Sequence, residues 1–191
     1  MTDTTAPPPR ALPPNPAVPE RIEIDEFHLR RHTLEDVEAM HEAIKAGFAE
    51  IHLWMPWCVD PVRIEEQRGF VENACAKWAA GEAFNFGIFA ADGRLLGAVA
   101  LMDRLGEGGL EIGYWLRTDA TGGGVMTRAV DRLTRLGLGL PGIERIEIHC
   151  DEANLRSAAV PRRLGYRLDR LEDGKIEAPG ETGRNMVWIT P

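Results

Sequence analysis

A strand-like segment of this sequence runs directly into three consecutive glycines and then into an apolar helical pattern. The strand pattern covers residues 110–117, the glycines are residues 122–124, and the helix begins near Val125. Glycine lets backbone approach a ligand closely, and the first turn of a helix offers unpaired N–H groups with a partial positive charge. The junction is therefore either a flexible turn or a phosphate site, and the glycines alone do not separate the two.

Three kinds of phosphate site compete for this loop. A P-loop requires a lysine directly after its last glycine, and no lysine lies near residues 122–124. A dinucleotide fingerprint fits Gly122 and Gly124 but has Thr127 in place of its third glycine, although Asp151 imitates the ribose-binding acid. No second mononucleotide-binding half follows, which disfavours a dinucleotide. Coenzyme A needs only one pyrophosphate cradle and fits the loop best.

The remaining patterns predict a mixed α/β chain. Short connections between three consecutive strand patterns predict an antiparallel meander, and helices and strands alternate after it. The predicted strands are one strand or two short ones in 22–31, then 84–90, 95–102, 110–117, 146–150, 166–171 and 186–189. The predicted helices are 34–46, one ending near residue 80, 126–136 and 154–164, the last containing Pro161. A proline there cannot donate to the Ser157 carbonyl, which should leave that oxygen to a ligand or water.

Chain length and composition predict one domain over residues 21–191, preceded by a disordered, proline-rich arm over residues 1–20. The 22 basic and 30 acidic residues give a net charge of −8, which argues against nucleic acid as a partner. Three widely spaced cysteines without a C-x-x-C pair predict neither a disulfide framework nor a metal site. No apolar run approaches the roughly 20 residues of a membrane span. We therefore expect a cytoplasmic protein.

Five motifs occur in an order and spacing that resemble the RimJ/RimL type of GNAT N-acetyltransferases. They are Glu111–Leu116 (EIGYWL), the glycine loop with Met126-Thr127, Ile143–Ile148 (IERIEI), Asn154–Ser157 (NLRS) and Arg163–Tyr166 (RLGY). The segment Leu53–Trp57 (LWMPW) and the opening residues 29–36 resemble that type as well. The match covers about residues 27–190. No single motif is highly specific, but five in sequence order leave little room for chance.

The resemblance implies an α/β (α+β) fold in which helices flank a mixed, strongly twisted sheet. A V-shaped splay between the fourth and fifth strands would hold acetyl-CoA as cosubstrate. The cofactor-binding residues implied are Leu116, Gly122, Gly123, Gly124, Val125, Met126, Thr127, Asn154 and Ser157. Gly123 stands where the family usually has a basic residue, so the loop departs from the family pattern. Arg128 could partly replace that side chain if it pointed toward the ligand.

The implied reaction needs a neutral amine, because an ammonium group has no lone pair with which to attack a thioester. A carboxylate acting through water could take the proton, and the candidates are Glu111 and, second, Glu177. By resemblance, Ser157 lies near the thioester sulfur and protonates the leaving thiolate. Asn154 is either a helix N-cap, a pantetheine contact, or both. Cys150 alternates with core residues, and the family transfers the acetyl group directly.

The aromatic cluster around Trp54 and Trp57 either fills a core edge or forms an aromatic wall beside a substrate cleft, to which we also assign Tyr114. The predicted activity is transfer of acetyl from acetyl-CoA to a primary amine of a protein N-terminus or a small molecule. The alternatives are a GNAT module that binds acyl-CoA without turnover and a nucleotide-dependent oxidoreductase. A homodimer is common in the resembled family. The sequence does not choose the acceptor.

Overall fold

The structure is a computed structural model that describes residues 10–190. Within these residues the chain forms eight strands and four α-helices. The strands are β1 (Arg21–Ile24), β2 (Phe27–Arg31), β3 (Ala83–Ala90), β4 (Leu95–Met102), β5 (Gly109–Leu116), β6 (Arg145–Asp151), β7 (Arg167–Asp173) and β8 (Arg184–Ile189). The helices are α1 (Val37–Ile51), α2 (Ile64–Ala79), α3 (Val125–Leu138) and α4 (Leu155–Arg163).

All eight strands form one mixed sheet in the order β1-β2-β3-β4-β5-β6-β8-β7. Every neighbouring pair is antiparallel except β5 and β6, which run parallel. Their pairing covers only Gly109–Glu111 against Arg145–Glu147, and beyond Glu111 the two strands separate. This separation is the expected V-shaped splay, so the predicted GNAT-type fold is confirmed.

The splay lies between the fifth and sixth strands rather than between the fourth and fifth. The reason is the opening segment, which forms two strands joined by a tight hairpin, with Ile24 paired to Phe27. Asp25 in this turn has a φ of 44°, a left-handed conformation that aspartate tolerates better than most residues. The extra strand shifts the count by one, and the splay still separates the strand that ends at Leu116 from the strand that begins at Arg145.

Helices pack against both faces of the sheet. The apolar stripe of α3, formed by Met126, Ala129, Val130 and Leu133, is buried against β4, β5 and β6. Helices α1 and α2 pack against β3 and β4. Side chains alternate along β5, so Tyr114 packs into the core cluster of α3 and Trp115 into that of α1. Strand β5 thus contributes to both sides of the sheet at the splay.

The predicted disordered arm lies only partly within the described residues. Residues 1–9 are outside them, and in residues 10–20 the apolar side chains of Ala11, Leu12 and Val18 pack against the core. The Leu12 side chain is buried, and the N–H groups of Ala11 and Leu12 donate to the Asp103 carboxylate at 2.9 and 3.0 Å. Prolines prevent regular hydrogen bonding here, but they do not prevent packing when an outside carboxylate supplies the acceptors.

Candidate active site

The glycine loop has the backbone geometry of an open anion site. Gly122 and Gly124 have φ values of 85° and 73°, and Gly124 is the N-cap of α3 without a side-chain hydrogen bond to the first turn. A Cβ atom at any of residues 122–124 would meet no heavy atom within 4 Å. The loop therefore borders open space beside a first turn of α3 that no side chain caps, which is the condition for binding a phosphate group at a helix N-terminus.

A groove with a volume of about 1040 Å³ begins at this loop, and we call it the loop groove. Its walls are the glycine loop and the face of α4 that carries Arg156, Ala159 and Arg163. Every predicted cofactor-binding residue lines it: Leu116, Gly122, Gly123, Gly124, Val125, Met126, Thr127, Asn154 and Ser157. The residues that were predicted from separate motifs are therefore brought together in one cavity.

A second cavity of about 580 Å³ lies on the other side of the splay, and we call it the aromatic pocket. Residues from the α1–α2 connection, β4, β5, β6 and the β7–β8 loop line it. Trp54, Trp57, Tyr114, Glu111 and Glu177, which were predicted to bind or activate a substrate, all line this pocket. The Trp57 and Trp115 rings meet edge to face, with centroids 6.3 Å apart.

The two cavities meet at the splay. Six residues line both: Trp54, Met55, Tyr114, Trp115, Asn154 and Ser157. A ligand in the loop groove and a second ligand in the aromatic pocket would approach each other at these residues. The Ser157 hydroxyl lies at this junction, and its hydrogen-bond partners determine whether it can donate a proton to a ligand.

Ser157 is held by hydrogen bonds on its backbone and its side chain. The Asn154 side chain accepts a bond of 3.0 Å from the Ser157 N–H, as expected of an N-cap. The Tyr114 hydroxyl donates to the Ser157 carbonyl oxygen at 3.0 Å. This is the oxygen that Pro161 leaves without its helical partner. We expected a ligand or water there, but a side chain from β5 occupies the position.

Titration of the neighbouring groups limits their chemistry. Burial raises the pKa of the Tyr114 phenol far above its usual range, so the hydroxyl stays protonated. Burial also raises the pKa of the Cys150 thiol to about 11, which keeps it uncharged near neutral pH. A neutral thiol is a poor nucleophile, and this agrees with direct transfer rather than an acylated cysteine.

Glu111 is buried at the floor of the aromatic pocket and forms an ion pair. Arg104 donates from Nε to Oε2 at 2.7 Å and from Nη2 to Oε1. Each carboxylate oxygen has two lone pairs, so both oxygens keep one free for a water molecule. Glu177 is exposed, and its backbone N–H donates to the Glu181 carboxylate at 2.7 Å. Of the two, only Glu111 has a fixed carboxylate.

Asp151 has a structural role, although its position in the sequence resembles that of the ribose-binding acid of a dinucleotide site. Its carboxylate accepts hydrogen bonds from the backbone N–H groups of Ala153, Thr182 and Gly183 and from the Thr182 hydroxyl. These bonds hold the β7–β8 loop beside β6 and lower the pKa of Asp151, against the opposing effect of its partial burial. The carboxylate is already satisfied by protein donors, which removes the main support for a dinucleotide site.

The Arg128 guanidinium lies beside the glycine loop, 3.4 Å from the Gly123 carbonyl oxygen, but acidic side chains engage it. Its guanidinium forms ion pairs with Glu26 and Asp25 in the β1–β2 turn and stacks over the Phe27 ring. Arg163 lines the loop groove and makes no ion pair within residues 10–190. Arg163 belongs to a motif identified in the sequence but was not among the predicted cofactor-binding residues, although Arg156 and Arg163 are seven residues apart and therefore share a face of α4. Arg104 was missed too, and no spacing pointed to it.

Metal-binding clusters and membrane-spanning helices are both absent from the described part of the chain. Among residues 10–190, no set of three or more His, Cys, Asp or Glu side chains is arranged to hold a metal ion. Over the same residues, no helix is long and apolar enough to cross a membrane.

Similarity to known proteins points to one family. The profile of a family described as "Acetyltransferase (GNAT) domain" matches residues 26–167. YdaF of Bacillus subtilis (strain 168), provisionally named a ribosomal N-acetyltransferase, is 29% identical over 145 residues, which cover 73% of this chain and 75% of YdaF.

Two solved structures share the fold at 22% identity. RimL, a ribosomal L7/L12 alpha-N-protein acetyltransferase in complex with coenzyme A, superposes with a TM-score of 0.78 over 87% of this chain and 94% of RimL. The microcin C7 self-immunity acetyltransferase MccE, in complex with acetyl-CoA and AMP, gives a TM-score of 0.82 over 91% of this chain and 97% of MccE.

Proposed function

The chain belongs to the GNAT family of N-acetyltransferases, and we propose that it transfers an acetyl group from acetyl-CoA to a primary amine by direct attack within a ternary complex. The observation that carries the proposal is the meeting of the loop groove and the aromatic pocket at six shared residues. Two substrates that enter from opposite sides would meet there. The RimL and MccE structures described above are complexes with coenzyme A and acetyl-CoA, which supports acetyl-CoA as the donor.

In the proposed complex, the first N–H groups of α3 and the loop residues Gly122 to Thr127 bind the pyrophosphate of coenzyme A. The left-handed glycines leave these groups uncovered. The Leu116 backbone and Asn154 contact the pantetheine arm. This arrangement directs the thioester toward Ser157 and Tyr114 at the junction.

The acceptor amine occupies the aromatic pocket, where Trp54 and Trp57 form an apolar wall and Tyr114 the inner end. Glu111 accepts the amine proton through a water molecule, and Glu177 is the second candidate for this role. The neutral nitrogen forms the new C–N bond while the C–S bond breaks. The Ser157 hydroxyl donates its proton to the departing thiolate, and the proton that the acylated nitrogen loses returns to the Ser157 oxygen through water.

The acceptor is proposed to be a protein N-terminus or a small amine. The names of YdaF and RimL favour a ribosomal-protein N-terminus. An α-amino group with a pKa near 8 is partly neutral at physiological pH, so it needs less assistance from Glu111 than a lysine side chain near 10.4. A homodimer and a cytoplasmic location stay predictions, and light scattering after gel filtration measures the former.

Thermal unfolding with saturating acetyl-CoA, CoA, NAD or NADP tests the donor. Acetyl-CoA and CoA should raise the melting temperature, because a ligand that binds only the folded state adds about 2.7 kcal/mol at one hundred times its Kd. NAD and NADP should have no effect. A melting temperature unchanged by acetyl-CoA would remove the proposal, and a response to NAD alone would revive the oxidoreductase.

Release of free CoA thiol tests the acceptor, with peptides bearing N-terminal serine or alanine beside spermidine as a small amine. The second candidate function is an acyl-CoA-binding module without turnover, which is favoured by the Arg104 ion pair on both oxygens of Glu111. Binding of acetyl-CoA without thiol release from any acceptor would support that module.

A further inference from the structure

We propose that Tyr114 is the positioning residue for the Ser157 hydroxyl, and that Pro161 makes this possible by leaving the Ser157 carbonyl oxygen free to accept from Tyr114. The inference deepens the proposed acetyl transfer and rests on the role of Ser157 in it. It concerns a contact between β5 and α4, the two elements that face each other across the splay.

The backbone of α4 supplies the first part of the argument. In an α-helix, the carbonyl oxygen of one residue accepts from the N–H four residues later. For Ser157 that residue is Pro161, which has no N–H. The Tyr114 hydroxyl lies 3.0 Å from this oxygen and donates to it. A proline in the second turn of α4 thus leaves free an acceptor, to which a strand residue donates.

The side chain of Ser157 supplies the second part. Its Oγ donates to the Tyr114 oxygen at 3.2 Å, so one phenol oxygen donates to the Ser157 carbonyl and accepts from the Ser157 hydroxyl. A serine hydroxyl otherwise rotates freely among its staggered positions. Because the Ser157 N–H is bonded to Asn154 as well, all three polar groups of Ser157 have a fixed partner.

The third part concerns what Tyr114 can and cannot do. Its phenol stays protonated near neutral pH, because burial raises its pKa, and it therefore remains a donor. Its donated hydrogen bond goes to a carbonyl oxygen rather than to the thioester region. It therefore fixes the position of the Ser157 oxygen. The single hydroxyl proton of Ser157, which is donated to the Tyr114 oxygen in this structure, turns to the sulfur as the thiolate departs. An oxygen already held at the junction loses less conformational freedom during the reaction than a mobile one.

Tyr114→Phe tests the positioning, because it removes only the hydroxyl. With acetyl-CoA and an N-terminal serine peptide, kcat should fall roughly 10- to 100-fold while the Kd of acetyl-CoA stays within about twofold. The chain has two tyrosines, and Tyr166→Phe is the matched control. Tyr166 is buried and its hydroxyl bonds Thr134 at 2.6 Å, but it lines neither cavity. An equal loss of kcat in both variants would overturn the proposal.

Combination with Ser157→Ala separates this inference from the proposed function. If Tyr114 acts through Ser157, Tyr114→Phe should cause no further loss of kcat once Ser157 is alanine. A loss of the same factor in both backgrounds would overturn the positioning role. If Ser157→Ala alone leaves kcat unchanged, the proposed role of Ser157 fails together with this inference, whereas thiol release by the parent protein still upholds the acetyl transfer.

Pro161→Ala tests the second half of the proposal. The substitution restores a backbone N–H at this position of α4, which would compete with Tyr114 for the Ser157 oxygen. We expect a several-fold lower kcat at unchanged acetyl-CoA affinity, a new amide protected from hydrogen exchange, and no additional loss in the Tyr114→Phe background. A protected amide with kcat unchanged would contradict the role of Pro161, and so would an additive loss.

Discussion

The loop groove and the aromatic pocket meet at the same residues but are built differently. Most of the groove comes from one stretch, residues 114–128, and from α4, with residues 50–55 at its edge, and the groups that the glycine loop offers to phosphate are backbone N–H groups. The pocket is assembled from many separate segments, which include α1, α2, strands β3 to β6 and the β7–β8 loop, and the groups it offers are side chains. Backbone groups belong to every residue, so the groove depends on conformation, whereas the pocket depends on the identity and placement of individual side chains.

This difference predicts how each region responds to substitution. Changes in the groove should act on the affinity for acetyl-CoA through backbone conformation, and changes in the pocket should act on the acceptor and on the rate. A variant that weakened the binding of acetyl-CoA and of the acceptor equally would contradict this division between the groove and the pocket. The largest effect is expected at the carboxylate of the pocket, and the smallest at a guanidinium that lines the groove.

Glu111→Gln should have the largest effect, a rate roughly 10²–10⁴-fold lower below the pKa of the amine. The deficit should shrink as pH rises, because at high pH the free amine already carries its lone pair. The pH–rate profile measures this directly. A profile parallel to that of the parent would contradict the assignment to Glu111, and Glu177→Gln would then be measured in the same way.

The control for this experiment is Glu147→Gln. Glu147 is the register partner of Glu111 on β6, is equally buried, and is bonded to Arg145 and His149 at 2.8 Å each, but lines neither cavity. Loss of its charge should lower stability and leave the shape of the pH–rate profile unchanged.

Gly124→Val should weaken acetyl-CoA binding by roughly 10- to 100-fold, about 1.4–2.8 kcal/mol, as measured by calorimetry. A β-branched side chain resists a φ of 73° and extends into the loop groove. Gly93→Val is the matched control, since Gly93 has a φ of 85° and equally open surroundings in the β3–β4 turn. Both should lose about 1–3 kcal/mol of stability through strain. Equal affinities in the two variants would make the glycine loop a mere turn.

Gly180→Ala should raise the KM of the acceptor several-fold without changing the Kd of acetyl-CoA. A Cβ atom at Gly180 would lie 2.7 Å from the Leu53 carbonyl oxygen and 3.1 Å from the Trp54 ring, which would push the two loops of the aromatic pocket apart. Gly69→Ala on α2 is the control, because a Cβ there meets nothing within 4 Å. Weaker acetyl-CoA binding in Gly180→Ala would show that the two cavities are not separable.

Arg163→Gln should have the smallest effect, a few-fold weaker binding of CoA that becomes less dependent on salt. Arg163 lines the groove with no ion-pair partner among residues 10–190, so its charge is available to phosphate. Arg128→Gln should change CoA affinity less, because that guanidinium is already engaged by Glu26 and Asp25. The reverse order would mean that Arg128 leaves its ion pairs when the ligand binds.

The sequence was informative where conformation follows from local pattern. The strand, the three glycines and the stripe of α3 predicted the groove, since positive φ and helix periodicity are properties of short segments. The resemblance to GNAT proteins then predicted the splay and the aromatic residues of the pocket. Its family assignment is confirmed by the profile match, and the roles of individual residues stay proposals.

The parts that could not be predicted involve side-chain pairs that no motif contains. Arg104 follows β4 and bonds Glu111 on the neighbouring strand β5, seven residues later, and Arg128 is engaged by Glu26, which lies beside it in space but 102 residues earlier. The packing of residues 10–12 on Asp103 has the same origin. Pairings of this kind depend on the register of the whole sheet, which no short motif contains.

The contact between Gly180 and Leu53 also has a consequence for the order in which the protein folds. The Gly180 N–H donates to the Leu53 oxygen at 2.8 Å. This bond joins the β7–β8 loop to the α1–α2 connection, two segments more than a hundred residues apart, and we call the joined loops the roof of the aromatic pocket. Closing so long a loop costs chain entropy that only later contacts repay. The β3–β4–β5 meander can form from its neighbours alone, whereas the roof must wait for β8. Pulsed hydrogen exchange during refolding should therefore protect the Gly180 amide after those of the meander.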